Sequence, residues 1–240
     1  VGEVEALGRL VTVAAAGRTV ATELRSEAPL LLRAAPRADR LDVHLVGGAA
    51  GPLGGDDLRL ELDIGPGSAV TVRSVAAQLA QPDPRGRSSV AVIDARIAAG
   101  THLDWCPEPL ISVAGSDHRM TTVLRIESGA SVRWTDTIVL GRTAERPGRV
   151  AARLRVEIDG TPVLDHDLVA GLARLAGRTG GDRDPLAGPG ANGRARTLTS
   201  TVVVGPDAPA EPSTDVGADG VRSATLPLRA GAALLVRLAP

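Results

Sequence analysis

Apolar and polar residues alternate along much of this chain with a period of two. Leu58, Leu60, Leu62 and Ile64 fall on one side, with Arg59, Glu61 and Asp63 on the other. Leu154, Val156 and Ile158 repeat the pattern against Arg153, Arg155 and Glu157. Such alternation predicts strands with one buried face. A glycine turn recurs between the alternating stretches. Ile64-Gly-Pro-Gly67-Ser-Ala-Val70, Ile97-Ala-Ala-Gly100-Thr-His-Leu103, Ile126-Glu-Ser-Gly129-Ala-Ser-Val132 and Leu228-Arg-Ala-Gly231-Ala-Ala-Leu234 follow one rule. Ala14-Ala-Ala-Gly17-Arg-Thr-Val20 is a weaker instance, and Ile158-Asp-Gly160-Thr-Pro-Val163 is one residue shorter. Glycines 67, 100, 129 and 160 are 33, 29 and 31 residues apart, a period that suggests stacked, similar units.

The expected fold is therefore mainly β: an irregular β-helix or solenoid-like stack of antiparallel strands with one or two short helices. A β-sandwich is the rival. Asp165–Arg178 fits a short helix, with Leu168, Leu172 and Leu175 on one stripe. Segments 177–194 and 205–220, rich in Gly, Pro and Asp, read as flexible loops, leaving Val221–Leu238 as the last strand pair to return to the core. One domain over 1–240 accommodates all of this.

Composition narrows the chemistry. The 240 residues carry a formal charge of −1, and all 27 basic residues are arginine. Without lysine there is no Schiff base and no P-loop lysine. With two aromatic rings, Trp105 and Trp134, there is no base-stacking platform, and the balanced charge gives no phosphate footprint, so no nucleic-acid partner is expected. A single cysteine rules out an internal disulfide. No charged-then-apolar leader opens the sequence and no apolar run approaches the ~18 residues of a membrane span, which points to the cytoplasm and to no membrane partner.

Three segments carry candidate chemistry. Gly47–Asp57 holds Gly51, Gly54, Gly55 and Asp56. It reads as a backbone-shaped loop presenting Asp56 into a cavity or, as turn chemistry favours, a surface turn. In Thr101–Pro109, residues His102, Asp104 and Cys106 would share one face of a strand, with donors that suit Ni²⁺ or Zn²⁺. The plainer reading buries Leu103 and Trp105 and leaves the other side wet. Asp136 shares its face with Val132, Trp134 and Ile138, a costly inward place for an acid unless it is paired, lies at a wet strand end or lines a channel. His44, His118 and His166 read as solvated surface groups. No GxSxG or HExxH motif is present, and nothing argues for catalysis.

These segments, in order, resemble the urease accessory protein UreD (UreH) family. The resemblance rests on Gly51-Pro-Leu-Gly54-Gly55-Asp56, on Arg73-Ser-Val-Ala-Ala-Gln78 and on Trp105-Cys-Pro107-Glu-Pro109-Leu-Ile111. Trp134-Thr-Asp136-Thr-Ile-Val-Leu-Gly141-Arg142 and Leu235-Val-Arg237-Leu complete it. The family usually has Glu where this chain has Asp136. The resemblance implies an irregular β-helical scaffold, not an enzyme. It also implies urease structural subunits, UreF and the GTPase UreG as partners, and no tightly bound cofactor. Transient Ni²⁺ would pass along a wet tunnel whose acids correspond to Asp56 and Asp136. Two other readings stand beside it: a carbohydrate-active β enzyme using Asp56 and Asp136 as a carboxylate pair, and a binding module without a metal role.

Overall fold

The computed structural model describes residues 3–171 and 195–240. Its strands in chain order are β1 (Glu5–Ala15), β2 (Arg18–Arg25), β3 (Leu30–Pro36), β4 (Leu41–Gly47), β5 (Asp57–Ile64) and β6 (Ala69–Ser74). There follow β7 (Gln78–Ala80), β8 (Ser89–Ile97), β9 (His102–Trp105), β10 (Leu110–Ser112), β11 (Asp117–Ile126) and β12 (Ser131–Leu140). The last are β13 (Arg149–Ile158), β14 (Thr161–Ala170), β15 (Thr197–Val204), β16 (Ser213–Val216), β17 (Arg222–Pro227) and β18 (Ala232–Ala239).

They form two sheets. The first runs β14-β13-β11-β8-β5-β1-β2, and the second runs β16-β17-β18-β15-β12-β9-β6-β4-β3, with β10 beside β12 and β7 beside β10. The chain passes from one sheet to the other and back, and the stacked coils make a β-solenoid of about four turns.

The glycine turns are of two kinds, and their backbone decides which. In Gly65–Ser68, Ala98–Thr101 and Glu127–Ala130 the fourth amide donates to the first carbonyl, and only the third residue, Gly67, Gly100 or Gly129, has positive φ. This is the pattern of a type II turn, which here carries the chain round a corner into the other sheet. At Ala16-Gly17, Asp159-Gly160 and Ala230-Gly231 both residues have positive φ. That is the type I′ arrangement, whose twist matches a hairpin. Accordingly β1–β2, β13–β14 and β17–β18 are antiparallel hairpins.

The expected antiparallel stack is corrected by this distinction. A strand that turns a corner is followed in its own sheet by the equivalent strand of the next coil, which runs the same way. The β1, β5, β8, β11, β13 run and the β4, β6, β9, β12 run are therefore parallel. Register is kept residue for residue, so inward side chains stack in rows. Ile64, Ile97, Ile126 and Ile158 make one such row, and Leu62, Ala95, Leu124 and Val156 the next. Burying each large side chain contributes about 1.5–3 kcal/mol.

The expected helix over 165–178 is also corrected. Asp165–Ala170 belongs to β14, where Leu168 and Ala170 pair with Ala152 and Val150. Asp165 binds Arg153 at 2.7 Å. Six residues compatible with either period take the strand because an open edge of β13 is there to be paired. The remainder of that segment and the loop over 177–194 lie outside the described residues, and among the described residues there is no helix. Within 205–220, Ser213–Val216 forms β16 against β17. Val221–Leu238 is not alone in returning to the core: β15 lies between β12 and β18 and buries Val202.

Candidate functional site

The strand register that builds the core also builds the site. In the second sheet Val43, Val72, Trp105, Trp134, Val202 and Leu234 lie in one row. Neighbouring strands are about 4.8 Å apart, so two tryptophans at adjacent places in a row must lie ring on ring. Their centroids are 4.2 Å apart and their planes 3° from parallel. Stacked in this way, both indoles serve one carboxylate. Asp136, two residues beyond Trp134 on the same face, accepts from Trp105 Nε1 at 3.0 Å and from Trp134 Nε1 at 2.8 Å.

Among the described residues no arginine answers Asp136, and its hydrogen bonds come from the two indoles. Burial pushes its carboxyl above the ordinary carboxylate range, against the downward pull of the two N–H donors. The side chain is nevertheless not sealed, because it lines a cavity of about 350 Å³ between the sheets.

Small residues and outward loops make that cavity. Ala91 is the small residue between Leu58 and Met120 in their inward row, where a larger side chain would close the gap. In the second sheet the chain leaves the wall between β6 and β7 and again between β9 and β10. Val75, Ala76, Ala77, Pro107 and Glu108 line the resulting window, and Val75 is 59% exposed. A second, smaller cavity of about 30 Å³ lies on the β13–β14 side, lined by Arg153 and His166 among others. Met120, Asp136 and Ile138 line both cavities.

On the opposite sheet, His118 corrects its expected place as a solvated group. It is 2% exposed and lines the larger cavity. Its Nδ1 is 2.8 Å from Ser89 Oγ, its neighbour in the row Ser89, His118, Val150. Burial lowers its pKa to about 4, with the Asp117 charge opposing, so the ring is neutral at neutral pH. His44 and His166 are half-buried.

Asp56 is placed differently from Asp136. It is 4% exposed and does not line either cavity. Its Oδ2 accepts from the Leu53 amide at 2.8 Å and its Oδ1 from the Val4 amide at 3.3 Å, which closes the turn before β5 and ties down the start of β1. Gly54 is required there by close approach, since a Cβ would meet the Arg87 carbonyl oxygen at 2.5 Å; Gly55 adopts φ +99°. Gly51 lines the larger cavity. Asp56 and Asp136 are not brought together in either cavity.

The three metal candidates of one strand do not converge. His102 is exposed, and Asp104 is bound by Arg73 at 2.5 Å. Cys106 is half-buried and its amide donates to the Val72 carbonyl. Among the described residues no three His, Cys, Asp or Glu side chains are grouped to hold a metal ion. Pro107 lies at the window, and the Pro109 carbonyl accepts from Gln78, joining the two outward loops. Gly141 adopts φ +71°, and Arg142 binds Glu145 at 2.9 Å while its carbonyl accepts from Arg196.

The stretches that form this site belong to a known family. A profile of the UreD urease accessory proteins matches residues 5–239. The chain belongs to the UreD family. Relatives include the urease accessory protein UreD of Frankia casuarinae, 36% identical over 86% of this chain and 76% of the relative. The UreD of Streptomyces avermitilis is 38% identical over 93% of this chain and 86% of its own length. That of Frankia alni is 38% identical over 90% and 81%. These are accessory proteins of urease rather than urease itself. Among the described residues no helix is long and apolar enough to cross a membrane.

His118 is the group that sequence reasoning missed. The usable signal was its row. Counting inward from the Ile126 end of an alternating strand puts His118 on the buried face, where the register sets it beside Ser89.

Proposed function

We propose that this protein is a cytoplasmic scaffold for urease maturation that joins apourease to a UreF–UreG complex and gives Ni²⁺ a path between them. Membership of the UreD family supports the urease connection. The observation that carries the path is Asp136, a carboxylate that lines both interior cavities and has no arginine partner among the described residues.

The chemistry suits cargo rather than a resident ion. A carboxylate oxygen attracts a divalent cation, and its indole donors fix its orientation and disperse part of its charge. One carboxylate with nearby waters binds weakly enough to release, whereas three or four convergent protein donors would trap the ion. Asp56 takes a structural part in this reading, with both oxygens occupied by backbone amides. The window between the two outward loops is the proposed entry, and the side near Arg153 and His166 the proposed exit.

The test is co-expression of a urease operon with this gene present, deleted, or carrying Asp136→Ala. The expected result is loss of urease activity and of urease-bound nickel in the deletion strain. Activity falls at least about tenfold with Asp136→Ala while the protein still accumulates. Normal activity and nickel content in the deletion strain would remove the proposal, and a neutral Asp136→Ala would remove the path.

A further inference from the structure

Two ring nitrogens of one buried histidine have unequal surroundings here. His118 Nδ1 is held by Ser89 Oγ at 2.8 Å, and Ser89 is itself 1% exposed. Nε2 has no hydrogen-bond partner among the described residues. Among the described residues the buried polar atoms sealed without a partner are Asp104 Oδ1 and Ser116 Oγ, and His118 Nε2 is not one of them. The His118 side chain lines the larger cavity across from Asp136, which stands on the other sheet.

We propose that His118 Nε2 is a metal donor in the cavity, a nitrogen station for a borderline divalent cation such as Ni²⁺, in addition to the oxygen station at Asp136. This deepens the scaffold reading above and rests on it for the identity of the cargo. Ser89 supplies the outer support that metal-binding histidines have: with the proton on Nδ1 donated to Ser89 Oγ, the lone pair stands on Nε2 and faces the ion. The hydrogen bond fits either tautomer, and metal binding selects this one. Both donors line the same cavity, His118 from one sheet and Asp136 from the other. Imidazole nitrogen also discriminates in favour of Ni²⁺ over Mg²⁺ and Ca²⁺, which a carboxylate alone does poorly.

The experiment uses the full chain, labelled with ¹⁵N and titrated with NiCl₂ alone, with the imidazole nitrogens observed by long-range ¹H–¹⁵N spectroscopy. The chain has four histidines, so the rings separate readily. The expected result is that paramagnetic broadening removes the His118 ring signal first, below one equivalent of Ni²⁺. Ser89→Ala, which leaves the ring in place, should weaken that effect about tenfold in Ni²⁺ concentration. Excess MgCl₂ added before the Ni²⁺ should not protect the ring from broadening. Broadening confined to His44, His102 and His166, or a His118 response indifferent to Ser89→Ala, would overturn the proposal. The scaffold reading fails separately: if deletion leaves urease activation intact, the function falls whatever the ring does. If Asp136→Ala abolishes activation but Ni²⁺ spares His118, the path stands with its carboxylate alone.

Discussion

The space between the two sheets is filled at one end and hollow at the other, although the same strands run through both. At the corner end, Ile64, Ile97, Ile126 and Ile158 follow one another in register, all of them buried. At the other end the same four strands present Leu58, Ala91, Met120 and Ala152, and beyond them Ser89 and His118. Identical backbone geometry thus yields a dry core where branched side chains of equal size stack. It yields a cavity where alanines alternate with longer residues. Parallel in-register stacking makes this possible, because it turns a choice at one strand position into a choice about a whole layer of the interior.

The largest test of that contrast is truncation at the filled end. Ile126→Ala should cost about 3–4 kcal/mol, since its row neighbours on both sides are isoleucines held by register and cannot close the gap. Urea unfolding monitored by Trp fluorescence measures it, and a loss under about 1.5 kcal/mol would mean that the filled end is as loosely packed as the hollow one.

Acid tests the hollow end. His118 titrates at about 4 when folded against 6.5 when free. The unfolded chain therefore binds the extra proton in that window. Stability is fully present above pH 6.5 and falls as the pH drops towards 4, by about 3 kcal/mol. Asp136 acts in the opposite sense: its raised carboxyl favours the folded state when protonated, a contribution lost as pH rises through its folded value. Removing it in Asp136→Asn should steepen the acid loss, whereas His118→Gln should flatten it. Unfolding curves between pH 4 and 7 read both slopes.

Filling the cavity should separate stability from function. Ala91→Leu adds three carbons beside a space of about 350 Å³, so stability should change by no more than about 1 kcal/mol, in either direction. Urease activation should nevertheless fall if cargo passes there. The smallest effect belongs on the outer face of the first sheet, where Arg125 reaches Asp94 at 2.6 Å and Glu157 at 3.8 Å. These groups are partly exposed, and Arg125→Gln should cost about 0–1 kcal/mol, less at high salt.

Much of this was legible in the chain. Period-two alternation at 58–64 and 153–158 marked the strands, and the spacing of Gly67, Gly100 and Gly129 marked the coils. Asp136 announced itself as an acid on an apolar face. Asp56 did not reveal that backbone amides would take both of its oxygens, because Val4 is 52 positions away. Counting in twos from Ile126 gave the face of His118, but register alone set Ser89 and Val150 on either side of it. The stretch 165–170 suits helix and strand alike, and the unpaired edge of β13 decided it.

The sequence by itself determined the strand faces, the glycine punctuation and an alphabet of arginine and aliphatic residues without lysine, phenylalanine or tyrosine. Each of these is local, set by side-chain period and backbone freedom over a few residues. Tertiary structure alone decided which strands run parallel, that two tryptophans stack upon one carboxylate, and that a cavity opens where alanine meets the outward loops. Those outcomes depend on register between segments about thirty residues apart, and register is fixed only when whole coils pack.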